Sequence, residues 1–214
     1  MVASGVRRFV ALSGCGIGLV PPEPFKSGVA AQEALRDSGA QWSIIRPNNF
    51  NQNFDERLWR APLRAGLLAL PIGSAPEPFI DVQDVADVAA ALLTSDGHHG
   101  KVYELSGPRA LTFGEAVEMM ADVSGRSIRY AELTREEYRA ELVAGGASED
   151  EVEEVAAMRA GHPAEPTDAV RQVLGRAPVD FGDYVAQAAA AGAWPGSRRS
   201  GRPNGAATES ESIT

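Results

Sequence analysis

An α/β fold built on a parallel sheet is what this sequence predicts, and three observations carry the prediction. Two short runs rich in β-branched and aromatic residues, 7–12 (RRFVAL) and 42–46 (WSIIR), bracket a segment whose apolar positions recur at rough helical spacing. A third run, 102–105 (VYEL), follows another helical segment. Strands separated by a helix run parallel, because a hairpin needs only a few connecting residues while a crossover needs a dozen or more. The 214 residues, 44% hydrophobic and 23% charged, suffice to bury a sizeable core.

Each element has its own warrant. The first strand stops at Ser13-Gly14, and a loop rich in glycine and proline continues to about Pro24. Phe25, Val29, Ala34 and Leu35 mark a helix to Arg36, with Ser38-Gly39 as its stop. Pro47 ends the second strand, and residues 51–68 read as a broken helix interrupted at Pro62 and Gly66. Phe79-Ile80 is too short to assign. Asp81 caps a helix to Thr94, in which Val82, Val85, Val88, Ala89, Leu92 and Leu93 share one face. Gly97-His98-His99-Gly100 turns the chain into the third strand.

Three capping boxes follow, in which a hydroxyl and a glutamate three residues on satisfy each other's backbone donors: Thr112 with Glu115, Thr134 with Glu137, and Ser148 with Glu151. Between the first two, residues 128–133 (IRYAEL) read as a strand. The third opens an acidic helix over 148–159, with Val152, Val155 and Met158 as its buried stripe; its carboxylates read as a solvated face and not as metal ligands. Thr167 and Asp168 begin a short helix to Leu174-Gly175, and 181–191 form a last one before Trp194. Residues 196–214 have almost nothing to bury and read as a disordered tail. The expected division is a sheet domain over 1–125, an α-rich lobe over 126–195, and the tail.

The net charge of -9 gives an acidic surface that repels phosphate backbones and anionic headgroups, so neither nucleic acid nor a membrane is an expected partner. No apolar run approaches the length that spans a bilayer. Two arginines precede the short apolar stretch 9–12, which falls short of a signal-peptide core. The single cysteine, Cys15, cannot form an internal disulfide, which suits a cytoplasmic home. His98 and His99 in a turn and His162 alone lack metal-ligand spacing, and Asp81 and Asp84, three apart at a helix start, suit capping and the helix dipole better than acid/base work.

Read together, GVRRFVALSG (5–14), EALRDSGAQWSIIRPNNFNQNF (33–54), FIDVQDVADVAAALLT (79–94) and GKVYELSGPRALTFGEA (100–116) resemble the NmrA-like family of atypical short-chain dehydrogenases/reductases. IRYAELTREEY (128–138), VLGRAPVDFGDYV (173–185) and GAW (192–194) are similar to the substrate lobe of that family. The resemblance implies an incomplete Rossmann-like parallel sheet of order 3-2-1-4-5-6-7, in which 7–12 is strand four and 42–46 strand five, followed by a small α-rich C-terminal substrate lobe. It implies NAD or NADP as cofactor, a small-molecule substrate, and hydride transfer to a quinone-like or other conjugated compound. On this alignment the chain lacks the first strands and their glycine-rich turn, so tight cofactor binding by this chain is not expected. Strand four then becomes an edge with Phe9, Val10 and Leu12 exposed, and is expected to form a homodimer, to aggregate, or to be covered by the chain's own N-terminus.

Gly14-Cys15-Gly16-Ile17-Gly18 imitates the start of a dinucleotide fingerprint, but Leu19 stands at the last glycine position and Pro21-Pro22 delay the helix. It reads as a flexible loop at a ligand crevice. No tyrosine has a lysine four residues on: Gly107, Thr134, Leu142 and Ala188 follow Tyr103, Tyr130, Tyr138 and Tyr184. The alternative family lysine aligns with Gly28, and Lys26 reads as a surface residue. The resemblance puts nicotinamide contacts at Pro47, Asn48, Asn49, Phe50 and Asn53, after strand five, with Ser13 facing the same crevice. Asparagine amides offer donors and acceptors to a carboxamide or a carbonyl, and they equally brace loops. No catalytic residue is singled out. A ligand or redox sensor with a protein partner and a cofactor-independent cyclase are the competing readings.

Overall fold

The structure is a computed structural model and describes residues 5–17, 26–145 and 165–195. The acidic helix, Ser148 with Glu151, His162, Gly18, residues 19–25 and the tail lie outside the described residues. Three parallel strands, β1 (Arg8–Leu12), β2 (Gln41–Pro47) and β4 (Lys101–Leu105), form one sheet in the order β1-β2-β4. Helix α1 (Lys26–Arg36) connects β1 to β2, and Gly39 at φ +69° makes the turn between them. The register pairs Leu12 with Ile45, Ile45 with Tyr103, and Arg46 with Glu104. The predicted βαβ unit and parallel sheet are therefore present.

The broken helix expected over 51–68 takes a different form. A 3-10 turn occupies Asn51–Asn53, and α2 (Arg60–Ala65) carries Pro62 inside its first turn, where a missing N–H costs no intrahelical bond. Gly66, at φ 95°, ends α2. Leu67–Leu70 is then a strand, β3, paired in parallel with β5 (Arg129–Glu132) as a separate two-stranded sheet. Leu68 and Leu70 are buried while Leu67 is exposed, the alternation of a strand. Pairing with a distant segment overrides the helical propensity of a leucine-rich run.

Helix α3 (Val82–Thr94) is capped by Asp81, whose side chain accepts from the Gln83 backbone N–H. Both capping boxes within the described residues form, at the heads of α4 (Phe113–Ser124) and α5 (Arg135–Ala144). Helices α6 (Ala169–Leu174) and α7 (Phe181–Ala190) complete the described elements.

Two cores hold these parts together. Ile45, Tyr103 and Leu105 project from one sheet face onto Val85, Val88 and Leu92 of α3 and Val170 of α6. The larger core gathers Phe54, Phe79, Phe113 and Phe181 with Leu68, Leu70, Met120 and Val185, so α4, α7 and the β3/β5 pair share one interior. Within it the rings of Phe54 and Phe79 meet edge to face at 5.1 Å, as do those of Phe79 and Phe113. Gly107 lets the backbone after β4 touch the strand-like segment before α3: a Cβ there would overlap the Phe79 carbonyl oxygen. Among the described residues strand β1 is a sheet edge; Leu12 is 61% exposed, whereas Phe9 and Val10, expected to be exposed with it, are half-buried, Val10 against the core under α3.

Candidate active site

The carboxyl ends of β1, β2 and β4 converge, and backbone bonds continue the ladder past the strand ends. Ser13 N–H donates to Ile45 O at 2.8 Å, Cys15 N–H to Pro47 O at 3.1 Å, and Asn48 N–H to Leu105 O at 2.9 Å. Ser13, Pro47, Asn48 and Asn49 are thereby gathered at one end of the sheet, where open α/β folds keep their ligand crevice. Asn48 is buried, and its Oδ1 accepts from the Asn49 backbone N–H at 2.6 Å. Asn49 Nδ2 donates to Glu77 Oε2 at 3.0 Å, and Asn49 O accepts from the Ile80 N–H. These bonds tie the loop after β2 to the segment before α3.

Phe50 and Asn53 are turned away from this end. Phe50 packs against the core under α3 and bridges to Ile80, and Asn53 is buried, its carbonyl accepting from the Trp59 N–H at 2.8 Å. Asn51, absent from the expected set, is fully buried, and neither polar atom of its side-chain amide has a hydrogen-bond partner among the described residues.

Because Ile45, Tyr103 and Leu105 face α3, their neighbours Arg46 and Glu104 face the opposite side, toward α1. There Arg46 Nη1 pairs with Glu104 Oε1 at 3.0 Å, and Arg46 Nη2 donates to Gln32 Oε1 at 2.7 Å. Gln32, on α1 and 3% exposed, donates through Nε2 to Ser13 Oγ at 2.9 Å. Arg46 Nε is buried and has no partner among the described residues. Cys15 lies beside this group: burial, reinforced by the Glu104 and Glu77 carboxylates, pushes its thiol up to about 12. A signal for these residues exists in the sequence, since Arg46 and Glu104 are charges inside apolar strands and Gln32 follows Val29 on the apolar side of its helix.

Residues weighed and set aside in the sequence have definite places. Asp81 is a cap, as expected. Asp84 is more than a dipole partner: fully buried, it accepts from Arg176 Nη1 at 2.6 Å and the Val179 N–H at 2.7 Å, and so fastens the segment after α6 to α3. His99 Nδ1 accepts from the Trp42 N–H at 3.1 Å, and His98 Nδ1 lies 2.7 Å from the Tyr103 hydroxyl. Tyr184 donates to Asp55 Oδ1 at 2.7 Å, and burial together with that carboxylate raises its hydroxyl above the ordinary tyrosine range. A Cβ at Gly28 would meet only Ile17 Cδ1, at 2.9 Å, the tip of a flexible side chain. Among the described residues no group of three histidine, cysteine or acidic side chains could hold a metal, and no helix is long and apolar enough to cross a membrane.

A cavity of about 370 Å³ opens at the amino-terminal end of the sheet, lined by Arg8, Trp42, Asp96, His98 and His99 among others. It lies at the wrong end of the strands for a Rossmann-type ligand, and both histidines are engaged as above.

No family model matches the chain. It is 34% identical over 195 residues to the (4-alkanoyl-5-oxo-2,5-dihydrofuran-3-yl)methyl phosphate reductase of Streptomyces griseus, a match that covers 88% of this chain and 68% of that protein. It is 31% identical over 199 residues to the NAD(P)H azoreductase of Xenophilus azovorans, covering 89% and 68%. Among solved structures, the triphenylmethane reductase of Citrobacter sp. complexed with NADP(H) superposes with a TM-score of 0.72 at 23% identity, over 87% of this chain and 66% of that one. The chain thus spans about two thirds of the length of these proteins, and the last likeness bears on fold alone.

Proposed function

We propose that this chain, which belongs to the NmrA-like family of atypical short-chain dehydrogenases/reductases, works as an NAD(P)H-dependent reductase of quinone-like or other conjugated small molecules. The observation that carries the reading is the state of Ser13. Its oxygen accepts from Gln32, and among the described residues no acceptor takes its own proton. A hydroxyl so held at the carboxyl end of a parallel sheet is set to donate to a carbonyl oxygen. Ser13, Pro47, Asn48, Asn49, Phe50 and Asn53 form the nicotinamide end of the site in this reading, Phe50 and Asn53 by shaping its loop from beneath. A nicotinamide carboxamide needs one donor and one acceptor, and Asn49 Nδ2, which gives one hydrogen to Glu77, has a second to offer it. When bound, the nicotinamide supplies the hydride.

The chain's own residues position and polarise. Ser13 Oγ–H donates to the substrate oxygen that gains electron density on reduction. Asn49, fixed by Glu77, keeps the loop after β2 against the crevice. Cys15 stays a neutral thiol, because burial, reinforced by the Glu104 and Glu77 carboxylates, disfavours the thiolate. The residues from 126 to 195 serve as the substrate lobe. The acidic surface and single cysteine support a cytoplasmic protein, and the open β1 edge supports a homodimer formed through that strand.

Titration of NADPH by its fluorescence, followed by NADPH oxidation with menadione and with an azo dye, tests the reading. Saturable micromolar binding and acceptor-dependent oxidation are expected, with Ser13→Ala lowering turnover about 10-fold to 100-fold. Absence of both binding and oxidation in the unaltered chain sinks it.

A further inference from the structure

We infer that Gln32 and Arg46 are positioning residues that fix the polarity of Ser13, so that its hydroxyl meets the crevice only as a donor. This rests on reading Ser13 as the contact to a ligand carbonyl. A guanidinium has donors and no acceptor, so the end of the Gln32 amide that lies 2.7 Å from Arg46 Nη2 must be its oxygen. The other end is then the NH₂ group, which can only donate, and it lies 2.9 Å from Ser13 Oγ. Ser13 must accept there, and its proton is left for something else. Turning the amide over would set two NH groups face to face at Arg46.

Arg46 is itself held. Glu104 is its in-register neighbour on β4 and takes its Nη1 at 3.0 Å, so strand pairing places the guanidinium before any ligand arrives. The Arg46 to Glu104 pair leaves Arg46 Nε buried with no partner among the described residues, which costs desolvation without return. What the arrangement supplies is direction: charge at Glu104 and Arg46 sets the amide, and the amide sets the hydroxyl.

Gln32→Glu tests this with almost no change of shape. The carboxylate keeps an acceptor for Arg46 but has no donor for Ser13, so the hydroxyl proton turns inward and is lost to the crevice. NADPH oxidation with menadione should fall about as far as in Ser13→Ala, about 10-fold to 100-fold. The double variant should be no worse than either single one, and the urea midpoint should not drop. Full activity in Gln32→Glu, or losses that multiply in the double variant, would overturn the inference.

A second readout needs neither cofactor nor substrate. In protein labelled with ¹⁵N-glutamine, the Gln32 side-chain amide should exchange slowly, and both Ser13→Ala and Arg46→Lys should shift it. An unmoved resonance overturns the relay whatever the activity. Shifted resonances in a chain that neither binds nor oxidises NADPH leave the hydrogen-bond order standing and overturn the role given to it, which separates this failure from that of the proposed function.

Discussion

Cys15 and Asn49 show how single side chains at the crevice are set by neighbours from other elements. The Cys15 thiol is raised to about 12 because burial and two nearby carboxylates disfavour its anion. In the unfolded chain the same thiol ionises near 9.0. The folded state therefore binds the proton more tightly, and the stability this contributes is complete below about 9 and is lost as pH rises toward about 12. Urea midpoints measured at about pH 7.5 and about pH 10 should fall more in the unaltered chain than in Cys15→Ala. Iodoacetamide at about pH 8 should modify the native thiol far more slowly than the denatured one. Rapid native alkylation would contradict a neutral, half-buried thiol. Asn49 carries the contrasting lesson: its amide is taken by Glu77, which braces the loop after β2 against the segment before α3.

Helix α3 is the element on which the C-terminal part of the chain is anchored. Asp84, without exposed surface, takes Arg176 and the Val179 N–H, while Asp87, one turn on, takes the other arm of the same guanidinium at 2.6 Å from the solvent side. Asp84→Asn should cost about 2 to 3 kcal/mol in urea unfolding, because it leaves a backbone donor and part of a cation without their charged acceptor. Asp87→Asn, at an exposed position, should cost clearly less, and equal losses would refute the distinction. Elements of this kind differ in how far the sequence discloses them. The boxes at Thr112 and Thr134 are legible because both partners lie within four residues. Strand β3 is not, since Leu67–Leu70 acquires its state from β5. The Ser13, Gln32 and Arg46 group is half legible: strand charges in WSIIRP and KVYELS stand out, but their meeting depends on the β2/β4 register and the phase of α1.

At the scale of the whole molecule, β1 is an edge of its sheet among the described residues, with Leu12 exposed. Pairing of two such edges would cover both, and light scattering should report a dimer that Leu12→Lys converts to monomer, because a charge on an edge strand opposes strand addition. A monomeric unaltered chain would end that proposal. The other sheet carries a consequence in time. Strand β3 meets its partner β5 only after α3, β4 and α4 have been made, so the ribbon closes a long loop and no local hairpin can seed it. The larger aromatic core, which leans on that ribbon, then consolidates late in refolding, while the β1-α1-β2 unit, whose parts are neighbours along the chain, is free to assemble first.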